Sequence, residues 1–342
     1  MDIREITYEL LLEFLKKNSE KAFRAKQLND WLWKKNIASF QEMINIPKSL
    51  QEKLKENFSF LQTKIAKEVA SSDNTVKFLF QLYDNEQIEG VLIPSRGRVT
   101  ACVSSQVGCA LKCSFCATGM LGFKRNLIFW EIVDQYVLMN RRALEIFGIP
   151  VGNIVLMGMG EPLLNYDNVM KAIDILTSKD GNGLSPTRIT LSTVGIVKGI
   201  RKLADDGFKA NLALSLHVAD NEKRSLLIPI NQTNALQELQ KVLSYYVEKT
   251  QQRISIEYVL LHTINDRIED AEKLCRFCKA FPVKINIIEY NPTHLKYRSS
   301  SLENRRIFVA HLESKNLIVN VRQSRGGDIA AACGQLVGMP PV

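Results

Sequence analysis

The chain has 342 residues, 46% of them apolar and 24% charged, a globular balance that excludes wholesale disorder and allows one large domain plus a small one. Lys and Arg number 45 against 36 Asp and Glu, and the net charge of +9 suits a polyanionic partner, because each phosphate contact releases condensed counterions. No run of 18 or more apolar residues occurs, so no membrane partner is expected, and the opening MDIREITYELLLEFLKK has early acids and helical periodicity in place of a signal-peptide pattern.

Residues 1–65 read as a helical accessory domain. Leu10, Leu11, Phe14 and Leu15 form one apolar stripe and Leu28, Trp31 and Leu32 another, and Pro47 opens a further helix, PKSLQEKLKENF. Lys21, Arg24, Lys26, Lys34 and Lys35 surround the second stripe, so this basic module reads either as a cap on the main domain or as an RNA-binding accessory. Residues 66–98 read as a β-hairpin extension, with VKFLFQLYD and QIEGVLIP paired antiparallel across Asp84-Asn85.

Residues 99–342 read as the catalytic domain. VTACVSS, NIVLMGMG, RITLSTVG, ANLALSLH, ISIEYVLLH, VKINIIEYN and NLIVNVRQ are strands, with helices over roughly 131–147, 167–178, 197–206, 234–249, 267–281 and 301–315 between them. Apolar strands that alternate with helices form a parallel sheet covered by those helices. The fold class is therefore α/β, and an open, partial β/α barrel of about six units fits better than a doubly wound sheet. Polar residues gather at the carboxyl ends of these strands: Gly158 to Glu161, Ser192, Thr193, Ser215, His217, His262, Asn291 and Arg322 to Gly327. That rim carries the ligand site in parallel α/β folds.

Seven cysteines occur, at 102, 109, 113, 116, 275, 278 and 333. In a reducing cytoplasm such clusters are more often metal-binding or catalytic than disulfide-bonded. Cys109, Cys113 and Cys116 stand in GCALKCSFCATG, spaced C-x3-C-x2-C on a short loop between strand and helix. Three thiolates this close can hold one face of a cubic iron–sulfur cluster and leave one iron open for chemistry. The competing reading is a structural zinc with a distant fourth ligand, for which Cys275 and Cys278 are candidates, although AEKLCRFCKAF reads as an ordinary helix.

The triad, with Phe115 before its last cysteine and a strand in front, resembles the radical S-adenosylmethionine superfamily. VTACVSSQVGCALKCSFCATGMLGFKRNL, LMGMGEPLLNYDNV, ITLSTVGI, LALSLHVAD and DIAAACGQL, in that order, resemble the RNA adenine C2-methyltransferases of that superfamily. The resemblance implies a [4Fe-4S] cluster on Cys109, Cys113 and Cys116, and S-adenosylmethionine as both methyl source and radical source. It implies that Cys333 carries the methyl group, that Cys102 resolves the protein–RNA crosslink through a transient disulfide with Cys333, and that Glu89 is the proton acceptor. Cofactor contacts carry over to Gly160, Glu161, Ser192, Ser215, Leu216, His217 and Asn291. The implied partners are 23S ribosomal RNA or also transfer RNA, and a one-electron donor such as flavodoxin or ferredoxin. The chain is expected to be a cytoplasmic monomer. Arg98, Lys124, Arg125, Arg322 and Arg325 are candidates for RNA phosphate contacts. The alternatives are an adenine C8-methylating resistance enzyme of the same branch and a non-catalytic, metal-containing RNA-binding protein.

Overall fold

The computed structural model describes residues 1–293 and 295–337. Three helices open the chain: α1 (Tyr8–Lys17), α2 (Phe23–Trp33) and α3 (Lys48–Asn57). Thr7 caps α1, its hydroxyl accepting from the Leu10 amide at 3.3 Å, as a short polar N-cap should. The three helices enclose their own small core of Ile3, Leu11, Leu15, Leu28, Met43, Leu50 and Leu54.

The rest of the chain is built on one sheet of ten strands, with a two-stranded hairpin beside it. Strands β1 (Lys64–Ala70), β2 (Val76–Gln81) and β3 (Gln87–Ser95) run antiparallel, and β3 pairs antiparallel with β4 (Arg98–Cys102). The short hairpin follows, β5 (Gln106–Gly108) with β6 (Phe123–Asn126), and between its strands lies a single turn, α4 (Ala117–Met120). The alternation then begins: α5 (Phe129–Phe147), β7 (Val151–Leu156), α6 (Tyr166–Thr177), β8 (Ile189–Thr193), α7 (Val197–Asp205) and β9 (Asn211–Ser215). It continues through α8 (Asn221–Leu227), α9 (Leu236–Thr250), β10 (Ile254–Leu260), α10 (Ile268–Cys278), β11 (Val283–Glu289), α11 (Leu302–Ser314) and β12 (Val319–Arg322).

From β4 to β12 every pairing in the large sheet is parallel, in chain order β4-β7-β8-β9-β10-β11-β12. Parallel neighbours need a crossover, and a helix supplies each one, so six helix-linked steps produce an open barrel, as expected. The strands are apolar because both faces are covered. Leu191, Leu212, Leu214, Ile256, Ile285 and Ile287 are all sealed from solvent, and each such side chain contributes ~1.5–3 kcal/mol on burial.

Two features have no counterpart in the sequence reading. Strand β1 occupies residues 64–70, where helix was expected to end and the hairpin to start. The β5–β6 hairpin brackets the cysteine loop. The helical module docks on α5. Arg4 pairs with Asp2 and Asp134 at 2.9 and 2.8 Å and lies 4.2 Å over the Trp130 ring, whose indole N–H donates to Glu5 at 3.0 Å.

Candidate active site

The hairpin fixes the cysteine loop from both ends. Gly108 has φ +73°, and a Cβ there would lie 1.9 Å from the Gly122 carbonyl oxygen, the acceptor for the Cys109 amide at 2.8 Å. Only glycine lets the strands close this tightly. Inside the loop the Cys116 amide donates to Cys113 O at 3.1 Å. Ser114, between these cysteines, donates through its amide to Leu227 O at the end of α8 at 2.9 Å. The Phe115 ring meets His217 edge-on at 5.0 Å.

All seven cysteines are free thiols, so the expected Cys102–Cys333 disulfide is not formed in this structure. Burial, reinforced by the neighbouring Cys116, pushes Cys109 up to about 11 and Cys113 well above the ordinary thiol range. Thiols crowded away from water in this way are poor anions alone, but they become thiolates when a metal centre takes the place of their protons. Among the described residues, no three or more His, Cys, Asp or Glu side chains converge closely enough to share a single ion. The three thiols share one loop and one small cluster of buried residues, which suits a body larger than one ion, so they fit a cluster better than a zinc. Cys275 and Cys278, the alternative zinc ligands, are buried in the barrel core along α10.

The strand ends meet the triad across the rim. Gly158 and Gly160 precede Glu161 after β7. A Cβ on Gly160, at φ +101°, would lie 2.6 Å from the side chain of Gln106. Gln106 in turn accepts from the Glu161 amide at 2.9 Å. The Glu161 carboxylate accepts from the Leu163 and Val194 amides at 3.1 and 2.9 Å, yet burial with no cation beside it raises its pKa to about 7. Ser192 and Ser215 share a hydrogen bond at 3.1 Å. Leu216 and His217 follow β9, and both their amides reach the Glu257 carbonyl. His217 has φ +56°, and burial lowers its pKa to about 3, so it is neutral and its Nδ1 accepts from the Val259 amide.

The segment bearing Cys333 crosses this rim. Asn291 donates to the Cys333 carbonyl at 3.2 Å, Ala117 to Gly334 O at 2.8 Å and the Thr118 hydroxyl to Leu336 O at 2.6 Å. Cys333 is exposed by surface area, yet its thiol lies among enough protein for burial to raise its pKa to about 11, with Cys116 and Glu257 contributing negative charge. Cys102 is buried on β4 and pushed up to about 12, first by burial and then by the Cys333 sulfur. Glu89 is sealed on β3. It pairs with Lys77 at 3.1 Å and accepts from the Val337 amide at 2.7 Å.

Two basic candidates for RNA contact are already occupied. Arg125 makes bonds to Glu131 at 2.7 and 2.9 Å and to Asp84 at 2.6 Å, and Lys124 pairs with Glu86 at 2.7 Å. Arg125 is thus held in pairs at the hairpin, whereas Lys124 stays 62% exposed beside its partner. Arg322 lies 3.8 Å from Glu257 and Arg325 lies 3.7 Å from Asp73.

Two buried charges escaped the sequence reading. Glu257 continues a polar row in register across the sheet, Ser215, Glu257, Asn286 and Asn320. Asn286 donates to one of its oxygens at 2.7 Å, while the other has no hydrogen-bond partner among the described residues. The signal was a lone acid inside an apolar strand, ISIEYVLL. The second is Arg224, fully enclosed on α8.

Comparison with known proteins places this geometry. Residues 1–59 match the family described as "Ribosomal RNA large subunit methyltransferase N-terminal domain", and residues 103–278 match the "Radical SAM superfamily". The chain is 48% identical to a protein of Cytophaga hutchinsonii named "Probable dual-specificity RNA methyltransferase RlmN", over 98% of this chain and 92% of that one. It is 42% identical to the protein of the same name in Thermotoga neapolitana, over 98% and 97%. A crystal structure of a radical SAM methyltransferase from Sphaerobacter thermophilus superposes with a TM-score of 0.93 at 38% identity, covering 99% of this chain and 100% of that one. With a [4Fe-4S] cluster and S-adenosylmethionine as the cofactors its superfamily carries, the chain belongs to the RlmN family of radical SAM methyltransferases.

Proposed function

We propose that the chain methylates C2 of an adenine in 23S ribosomal RNA, and in transfer RNA as a second substrate, through a methylated Cys333. The observation that carries this reading is the gathering of two further thiols at the rim that holds the triad: Cys102 at the end of β4, and Cys333 on the segment that Asn291 and Ala117 hold across the rim, its sulfur close enough to act on the charge of Cys102. An enzyme that moved a methyl group directly from cofactor to substrate would have no use for them.

When bound, the cluster and S-adenosylmethionine supply an electron, a methyl group and a hydrogen-abstracting radical. Cys109, Cys113 and Cys116 hold the cluster as thiolates. Glu161, beside Gly160, would accept a hydrogen bond from the cofactor's amino group, and Ser192, Ser215, Leu216, His217 and Asn291 would line the remainder. Cys333, once deprotonated, is a soft nucleophile that takes the methyl group as a thioether. After carbon–carbon bond formation at C2, Glu89 accepts the C2 hydrogen as a proton. The Cys102 thiolate then bonds to the Cys333 sulfur as the sulfur–carbon bond breaks; the freed carbon takes up a proton to become the product methyl group, and the one surplus electron would return to the cluster that supplied it. The resulting disulfide is reduced by an external thiol. The base must leave its stack to reach this depth. Residues 1–65 form the proposed RNA-binding accessory, 66–98 the hairpin extension and 99–342 the catalytic domain. The proposed setting is a cytoplasmic monomer served by flavodoxin or ferredoxin.

Anaerobic purification with iron and sulfide analysis, intact-mass measurement of the Cys333 peptide and mass analysis of the modified adenine test the reading. A brown protein, a Cys333 peptide heavier by one methyl group and 2-methyladenine are expected. Methyl transfer by Cys333→Ala would sink the carrier role, and 8-methyladenine would assign the chain to the resistance branch.

A further inference from the structure

Arg224 is a buried positive charge with no carboxylate paired to it among the described residues. Its side chain is 0% exposed. Nε donates to Leu216 O at 3.1 Å, Nη1 to Asn231 Oδ1 at 2.7 Å and Nη2 to Val194 O at 2.5 Å, all neutral acceptors. A guanidinium keeps its proton at any working pH, and enclosing one without a counter-ion is strongly unfavourable. Among the described residues, the side chain that favours its charge is Cys113 of the triad. The connection is built into the chain. Arg224 lies on α8, whose last carbonyl, on Leu227, accepts from Ser114 within the cysteine loop. Its own acceptors, Leu216 and Val194, belong to the strand ends beside His217 and Glu161.

A clamp for these backbone segments could be made from an amide or an ammonium group exposed to water. The neutral partners explain the position of Arg224 but not its sealed charge. Three thiolates around a cubane leave the pocket net negative, and one-electron reduction adds a further negative charge. A fixed cation in a low-dielectric surround favours the more negative state. We propose that Arg224 is the fixed counter-charge of the cluster pocket, easing entry of the electron. This rests on the cluster reading above.

The test uses the full chain loaded anaerobically and poised with redox mediators, and it reads the reduced-to-oxidised ratio of the cluster by electron paramagnetic resonance. A wild-type chain without iron would overturn the cluster reading itself, which separates that failure from failure of the role of Arg224. R224K, which keeps the charge, should hold the ratio within about threefold of wild type. R224M should lower it at least tenfold at a given potential, equivalent to about 59 mV for one electron. N231D leaves Arg224 in place and supplies the carboxylate it lacks, so the ratio should fall in the same direction. This third variant decides the matter should R224M fail to fold. A loaded N231D with the wild-type ratio would overturn the proposal and reduce Arg224 to a clamp.

Discussion

Lys77 and Glu89 face each other across β2 and β3 as an ion pair of 3.1 Å, with side chains 4% and 1% exposed. Each also holds the segment that carries Cys333. Lys77 donates to Ala330 O at 3.3 Å and Glu89 accepts from the Val337 amide at 2.7 Å. The antiparallel extension is therefore an anchor for both ends of the crossing segment, and it accounts for a buried charge pair that a plain hairpin would not keep. Removing one partner of such a pair leaves the other charge buried and costs about 3–5 kcal/mol. Lys77→Met should lower stability by that order in denaturant unfolding. Limited proteolysis should cut first between 326 and 337. Unchanged proteolysis would show that the pair does not hold the segment.

Glu161 gives the site a pH dependence. Its carboxyl is raised from 4.5 to about 7 by burial, so the empty protein favours the neutral acid. The stability it contributes is present below about pH 4.5 and is lost as pH rises through about 7. Binding of a group that donates hydrogen bonds has the opposite preference and needs the carboxylate. S-adenosylmethionine should therefore bind the cluster-loaded protein more tightly as pH rises from 6 to 8, while thermal melting of the empty protein falls over the same range. Glu161→Gln should weaken cofactor binding at least tenfold and flatten both profiles. Calorimetric titration across that range checks the sign, and a profile that slopes the other way refutes it.

Gly160 joins Glu161 to the hairpin. At φ +101°, with Gln106 at 2.6 Å from a would-be Cβ, alanine is both strained and blocked. Such strain costs on the order of 1–3 kcal/mol. Gly160→Ala should move the Glu161 amide off Gln106 and reduce cofactor affinity, while iron content stays at the wild-type level. Equal loss of iron and cofactor would place the damage in the triad loop instead.

Cys102 tests the order of the thiols. Cys102→Ala should fold normally, because the site is a small apolar position on β4, and should accumulate a covalent protein–RNA adduct visible on denaturing gels. Free RNA alone would remove Cys102 from the resolving step.

The parallel strands were readable because their apolar runs come from burial on both faces, which repeats seven times with helices between. The triad was readable because its spacing is short and local. Strand β1 was not, since KIAKEVA is an edge strand with charges on both faces and little of the apolar alternation that marks a half-buried strand. The hairpin around the cysteines is too short, at three and four residues, to show a period. Lys124 and Arg125 read as a basic patch because nothing in their own segment shows that Asp84, Glu86 and Glu131 fold against them. Arg224 sits in DNEKRSLL, where one more charge on a short helix looks solvated, and only the packing of α8 under the triad reveals its enclosure.

Cys102 stands on the border strand of the sheet, opposite Val91 of an antiparallel neighbour and Val155 of a parallel one. Its backbone is thus gripped from both sides by strands of opposite sense, whereas Cys333 hangs on an irregular span. Any meeting of the two sulfurs is a one-sided journey in which Cys333 travels and Cys102 waits. The ties of Gly326, Asp328 and Ala330 to Asp73, Ser71 and Lys77 then act as a brake on that journey, and Asp328→Ala should hasten bond exchange without altering either thiol.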